Sequence, residues 1–258
     1  MRVLFVLFFG IVFHSSATAQ IVNADGAGII YNEEWTVDLR FHTNGWGFAY
    51  NRGKLIKYDL TNFWSFEIGE IKHPKQDKRT FDFLTLGSSV VNRSFVYGKQ
   101  NNLYFLKYSI GQKRYFTEKA QRKGVAFGLS YSGGPVLGLV KPYYLDIFFN
   151  DNSNSGVFNR VIIPTKYDGT NGDLFLEPSS VNGAAGFGQG LDEIKVQPGL
   201  QGKVALHFDW GAFDRFVKGL EMGLMADFYF KEVPIMIIED NKNFYLNLYI
   251  NAHFGKRK

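Results

Sequence analysis

From Asn243 to Phe254 the chain alternates with a period of two. Phe244, Leu246, Leu248, Ile250, Ala252 and Phe254 are apolar, and Tyr245, Asn247, Tyr249, Asn251 and His253 between them can all hydrogen-bond. Successive strand side chains point to opposite faces, so this segment is predicted to be a strand with one greasy face and one polar face. The alternation is close in length to the roughly 9–11 residues that a tilted membrane-crossing strand needs. A soluble sandwich also alternates, with its greasy face inward.

The same period recurs upstream. Trp35, Val37, Leu39 and Phe41 alternate with Glu34, Thr36, Asp38, Arg40 and His42, and Asn44-Gly45 then supplies a hairpin turn. Strands of the same kind are predicted around Trp46–Tyr50, Trp64–Ile68, Ser94–Gly98, Tyr104–Ile110, Val125–Tyr131, Leu137–Phe149, Val204–Trp210 and Leu220–Phe230. Ser132-Gly133-Gly134-Pro135 reads as a turn, and Pro142 as a bulge or an interrupted ladder. Asn150 to Val196 reads as one long irregular loop, rich in Asn, Gly, Ser and Asp.

Together these elements predict an all-β, antiparallel transmembrane β-barrel of about ten strands, within a range of 8–12. With both ends of the barrel on one side, the connections starting near residues 72, 112, 150 and 231 are long and share one side with a short turn at 43. Those starting at 53, 99, 132 and 211 are short. Long loops outside and short turns inside are what outer-membrane barrels show.

Composition sharpens this expectation. Aromatic residues make up 17% of the 258, with 26 Phe and 14 Tyr, which suits aromatic girdles at two interfaces. Met1 to Ala19 reads as a secretion signal: Arg2 gives the basic start, Val3 to Phe13 a short apolar run, and Ala17-Thr18-Ala19 the cleavage site. The barrel domain is then 20–258. There are no cysteines, which excludes disulfides and thiol chemistry. The formal charge of +5 is mild, and an exported barrel does not meet cytoplasmic nucleic acid.

The chain resembles the outer-membrane β-barrel proteins of the Bacteroidota. The resemblance rests on the A-T-A-Q cleavage region and on an ending of Phe254-Gly255-Lys256-Arg257-Lys258. G-L-V-K-P-Y-Y-L (138–145) and G-L-D-E-I-K-V-Q-P-G (190–199) look like family signatures with no chemistry attached. The resemblance implies location and fold rather than an activity, with lipid and lipopolysaccharide around the barrel, the barrel-assembly machinery during insertion, and an envelope protein as partner.

On this phase the lumen receives Glu34, Asp38, Arg40, His42, Glu67, Lys107, Lys203, His207, Asp209, Glu221, Asp227, Asn247, Asn251 and His253. A salt-bridged polar interior is the simplest account, because small barrels are filled by their side chains. His207-x-Asp209 has the form of a base with its orienting carboxylate, but no nucleophile sits at a diagnostic spacing, and a structural pair is the plainer reading. His42 and His253 share a face near the closing seam, yet two histidines without a third ligand do not make a metal site. The glycines of G-F-G-Q-G (186–190) lack the strand and helix of a nucleotide fingerprint. The basic run from Lys113 to Lys123 reads as a solvated loop within reach of lipopolysaccharide phosphates.

The function expected is a structural or binding outer-membrane barrel in an envelope or secretion assembly, without cofactor or catalysis. Its rivals are a barrel enzyme acting on lipid or peptide at the outer rim and a soluble lipocalin-like carrier.

Overall fold

The computed structural model describes residues 31–57, 59–76, 78–79, 93–117, 125–151, 159–210 and 215–258. Met1 to Ala19, the segment read as a secretion signal, lies outside them. In chain order the strands are β1 (Glu33–His42), β2 (Gly45–Lys57), β3 (Leu60–Ile71), β4 (Lys78–Arg79), β5 (Phe95–Val96), β6 (Asn101–Tyr115), β7 (Ala126–Pro142), β8 (Tyr144–Asp151), β9 (Asn159–Lys166), β10 (Val181–Ala184), β11 (Lys195–Asp209), β12 (Phe216–Val233) and β13 (Lys242–Arg257). Eight of them close into one antiparallel barrel in the order β1-β13-β12-β11-β7-β6-β3-β2. The first and last strands seal it, with Glu34 opposite Arg257 and Asp38 opposite His253.

Eight strands is the lower bound of the expected range, and each shortfall has a physical cause. Ser132-Gly133-Gly134-Pro135 does not turn the chain; β7 runs straight through it. The ladder between β6 and β7 skips from Lys107 opposite Val136 to Ile110 opposite Gly133, so the proline, which has no N–H to donate, falls in a gap. Phe95 and Val96 pair with Lys78 and Arg79 in a separate two-stranded ribbon outside the barrel. Pro142 ends β7, and the segment expected to continue to Phe149 leaves the barrel as β8.

The rim where β1 begins and β13 ends is the proximal rim, and its connections are 58–59, 116–125 and 210–215. The distal rim carries 43–44, 72–100, 143–194 and 234–241. The connection expected to start near residue 112 therefore moves to the proximal side, because Ser94–Gly98 is not a barrel strand and β3 pairs directly with β6. Gly45, at a φ of 153°, follows the two-residue distal turn, and a Cβ there would strike the Glu70 carbonyl oxygen at 2.0 Å.

The described residues between Asn150 and Val196 are not one irregular loop. β9 pairs with β8, and β8 with β10, in a three-stranded sheet; a short helix, Gly172–Leu176, and a 3-10 turn, Pro178–Ser180, lie between β9 and β10. Phe95, Leu145, Ile147, Phe175 and Val181 form the core of this cap. The two unexplained signatures meet where the excursion leaves and rejoins the barrel. Lys195 pairs with Val140 and Val196 with Leu139, while the Tyr144 hydroxyl donates to Glu193 at 3.2 Å. Gly190, at a φ of 75°, lets the chain pass the Tyr144 ring, which a Cβ would meet at 2.8 Å. Their role is to fasten the cap to the rim.

The barrel sorts its side chains inside out. Leu39, Ile68, Leu224, Leu248 and Ile250 point outward and are exposed, while Glu67, Lys107, His207, Asp209 and Asp227 are fully buried. Exposed aromatics ring both ends of this belt, with Phe41, Trp46, Phe230 and Phe244 towards the distal rim and Trp210, Phe216 and Phe254 towards the proximal one.

This geometry sets a depth test. Leu248 pairs with Leu224 in the middle of the belt, whereas Phe254 pairs with the outward, exposed Lys218 near the proximal edge. Leu248→Arg is expected to cost roughly 2–4 kcal/mol on folding into bilayers, and Phe254→Arg about 1 kcal/mol or less. Urea midpoints of the two refolded variants check this; equal losses would mean that the belt does not contact lipid.

Candidate functional site

All fourteen residues assigned to the lumen lie inside the barrel and are buried. They are stacked in layers, and each layer gathers strands far apart in sequence. At the proximal end Arg257 donates to Glu34 at 3.1 Å and to Asp209 at 2.7 Å. Lys113 donates to the other Glu34 oxygen at 3.1 Å, and the Tyr115 hydroxyl donates to Asp209 at 2.9 Å. Lys113 is thus inside the barrel and not in a solvated basic loop. Its in-phase spacing from Lys107, through Ser109 and Gly111, is the signal for this in the sequence.

The next layer holds Asp38, His207, Glu221, Asn251 and His253. Cross-strand register assembles it: His207 faces Glu221 across β11 and β12, and Glu221 faces Asn251 across β12 and β13. His253 Nδ1 lies 2.8 Å from Asp38 Oδ1, and His253 Nε2 lies 3.2 Å from Glu221 Oε2. Asn251 donates to Asp38 at 2.9 Å, and the Tyr249 hydroxyl donates to Glu221 Oε1. His207 Nδ1 is 3.5 Å from Glu221 Oε2, and neither ring nitrogen of His207 makes a hydrogen bond.

Above it, Glu67 Oε2 accepts from both Arg40 and Lys203, the latter at 2.7 Å. The Arg40 guanidinium lies over the Tyr249 ring, 4.7 Å from its centre. Lys107 donates to Asp227 at 2.8 Å. Asn247 accepts from Thr43 at 3.0 Å and Asn44 at 2.8 Å, tying the distal turn to β13. His42 sits beside the Phe105 ring, 6.4 Å between centres. Beyond it the lumen turns apolar, with Ile71, Leu103, Phe105, Val140, Tyr229 and Ile235 forming a plug under the cap.

Two pairings expected from sequence change. His207 and Asp209 do not act together, because Asp209 is held by Arg257 and Tyr115 in the adjacent layer while His207 turns to Glu221. His253 is gathered with His207, 5.0 Å between ring centres, and not with His42. The void within the polar interior, lined by Asp38, Glu221, His253 and their neighbours, measures about 20 Å³, room for about one water molecule.

In the cap, Lys99 is buried beside the Tyr143 ring, 5.4 Å from its centre, and burial holds its ammonium down to about 8. Residues 186 to 190 carry Phe187, which is exposed and lies 5.1 Å from the Lys141 ammonium.

Solved structures that align with this chain include bacterial surface and outer-membrane proteins. Ail, the attachment invasion locus protein of Yersinia pestis, is 11% identical over 89% of this chain and 100% of its own, with a TM-score of 0.38. Neisserial surface protein A is 10% identical over 88% and 97%, at 0.37, and a major outer membrane protein from Thermus thermophilus is 11% identical over 86% and 99%, at 0.35. No family model and no curated protein sequence matches.

Two outcomes follow for the buried charges. Lys107→Met strands Asp227 in the lumen and is expected to cost about 3–5 kcal/mol, whereas Lys107→Met with Asp227→Leu should recover most of that loss. A double-mutant cycle on urea midpoints measures the difference, and additive losses would contradict the pairing. For Lys99 the folded group titrates near 8, below the usual 10.5, so its burial penalty is full below pH 8 and fades as pH rises towards 10.5. Protection of the Gln100 and Asn101 amides, which donate to the Ile235 carbonyl, should therefore increase from pH 7.5 to pH 9.5 after correction for intrinsic exchange.

Proposed function

We propose that this chain is an integral outer-membrane barrel with a structural or binding role and no catalytic activity, set in an envelope or secretion assembly of the Bacteroidota kind. The observation that carries the reading is the inverted sorting of side chains. A soluble lipocalin-like barrel buries its apolar face, yet here Phe41 is 68% exposed and Leu248 62%, while Glu67 and Lys107 are at 0%. That arrangement suits lipid outside and a filled polar interior, and argues against the soluble rival.

The enzyme rival loses its candidate residues. His207 is fully buried, and Asp209 is committed to Arg257. The binding role is supported by the cap. Among the described residues β9 has β8 on one side and no strand on the other, and its Val161, Ile162 and Ile163 are 38–45% exposed. An apolar strand edge of this kind suits a partner protein that adds a strand. Long connections gather at the distal rim, which favours that rim as the outer one. Lipid and lipopolysaccharide then surround the belt, and the barrel-assembly machinery inserts the chain.

Fractionation tests the location: the protein should resist carbonate extraction with outer membranes, and recovery in the soluble periplasmic fraction would sink the proposal. Orientation is read with an epitope inserted after Gly169, which has open space around it. It should be labelled on intact cells; labelling only after lysis would place the cap in the periplasm.

A further inference from the structure

We propose that His207, Glu221 and His253 form a binding site for one zinc-class divalent cation inside the barrel, with Asp38 orienting His253. Three observations converge on it. The first is geometric. One ligand atom from each residue lies within 4.8 Å of the other two, and all three residues are buried. Glu221 Oε2 is 3.2 Å from His253 Nε2 and 3.5 Å from His207 Nδ1. Bonds of about 2.0–2.1 Å in tetrahedral zinc sites put neighbouring ligand atoms about 3.3 Å apart. Two edges of the polyhedron are therefore present, and a small rotation of the imidazoles closes the third.

The second observation is an unsatisfied group. His207 is fully buried, and neither of its ring nitrogens has a hydrogen-bond partner. A buried polar atom left alone is costly, and coordination would satisfy the nitrogen that faces Glu221. The other ring nitrogen lies against Gly219, where a Cβ would meet it at 3.4 Å, so the glycine leaves space for the imidazole.

The third is charge. Glu34, Glu67, Asp209 and Asp227 each form an ion pair with a Lys or Arg. Asp38 and Glu221 have only imidazoles as ion-pair partners among the described residues. His253 Nδ1 faces Asp38, so its Nε2 turns towards Glu221 Oε2. These two carboxylates thus lack the Lys or Arg partner that the other buried carboxylates have, and a divalent ion would supply the positive charge. Asp38 then takes the place of the carboxylate that commonly holds a metal-bound histidine by its second nitrogen. The void beside Glu221 and His253, about 20 Å³, has room for one water as a fourth ligand. The ligands come from β11, β12 and β13, so the ion would clamp three consecutive barrel strands. Its buried position implies loading as the barrel closes.

The test uses the full chain refolded in detergent with zinc or cobalt(II), then passed over a chelating resin, with folding judged by the heat-dependent shift on electrophoresis. About one metal per folded wild-type chain is expected, and the cobalt form should show the intense visible bands of a four-coordinate ion. His207→Gln and Glu221→Gln should abolish retention, His42→Gln should leave it unchanged, and Asp38→Asn should weaken affinity by roughly 10–100-fold. If the first two variants fail to fold, the wild-type cobalt spectrum and the Asp38→Asn titration decide. Folded wild type that retains no metal, a six-coordinate cobalt spectrum, or retention that survives His207→Gln in folded protein would each overturn the proposal; the imidazoles would then carry protons instead.

Discussion

The interior of an eight-stranded barrel is just wide enough for side chains and almost closed to water, and the rest of this molecule answers to that fact. A charge in such a space loses its hydration and must be met by another charge or by well-placed hydrogen-bond donors. Glu67 shows the outcome: it is fully buried, and it accepts from Arg40 and Lys203, whose strands, β1 and β11, lie apart around the barrel wall. These links stitch across the lumen, whereas backbone ladders join only adjacent strands. The barrel is thus held twice, around its circumference and through its middle.

The lumen also changes character along its length. Charged layers fill the proximal part, and Ile71, Leu103, Val140, Tyr229 and their neighbours fill the part beneath the cap. The backbone of 234–237 packs over this plug: the Ile235 carbonyl accepts from Gln100 and Asn101, and Ile237 donates to Gly98. The cap therefore rests on an apolar floor that is continuous with the barrel, and its own core around Leu145, Ile147 and Phe175 is separate. The cap is thus a small folded unit seated on the apolar plug.

Much of this is legible in the chain. A period of two states which face each residue occupies, so the inward placement of Glu34 through His253 follows from the alternation alone. The same period is silent on register, since face is all it encodes. That is why His253 reads as a neighbour of His42, when β12 in fact brings Glu221 and then His207 towards it. Strand ends are the other weakness. A Ser-Gly-Gly-Pro run reads as a turn, but in β7 the ladder on the β11 side continues through it, with Gly134 opposite Gln201 and Pro135 opposite Leu200. Lys113, Tyr115 and Arg257 are hidden for a similar reason: each lies at the end of a strand that runs further than its apolar pattern suggests. In the cap, Val161-Ile162-Ile163 is masked by the Asn, Gly and Ser around it.

The pairing of Glu34 with Arg257 across the seam bears on errors in assembly. If β13 slid past β1 by two residues, every greasy side chain would still face outward, and the belt would register no fault. Inside, Arg257 would leave Glu34, and His253 would leave Asp38. The outward apolar face thus does not distinguish closures two residues apart, whereas the buried charges do. The lumen works as a proofreading key, whose teeth match one alignment of the cylinder and miss the next.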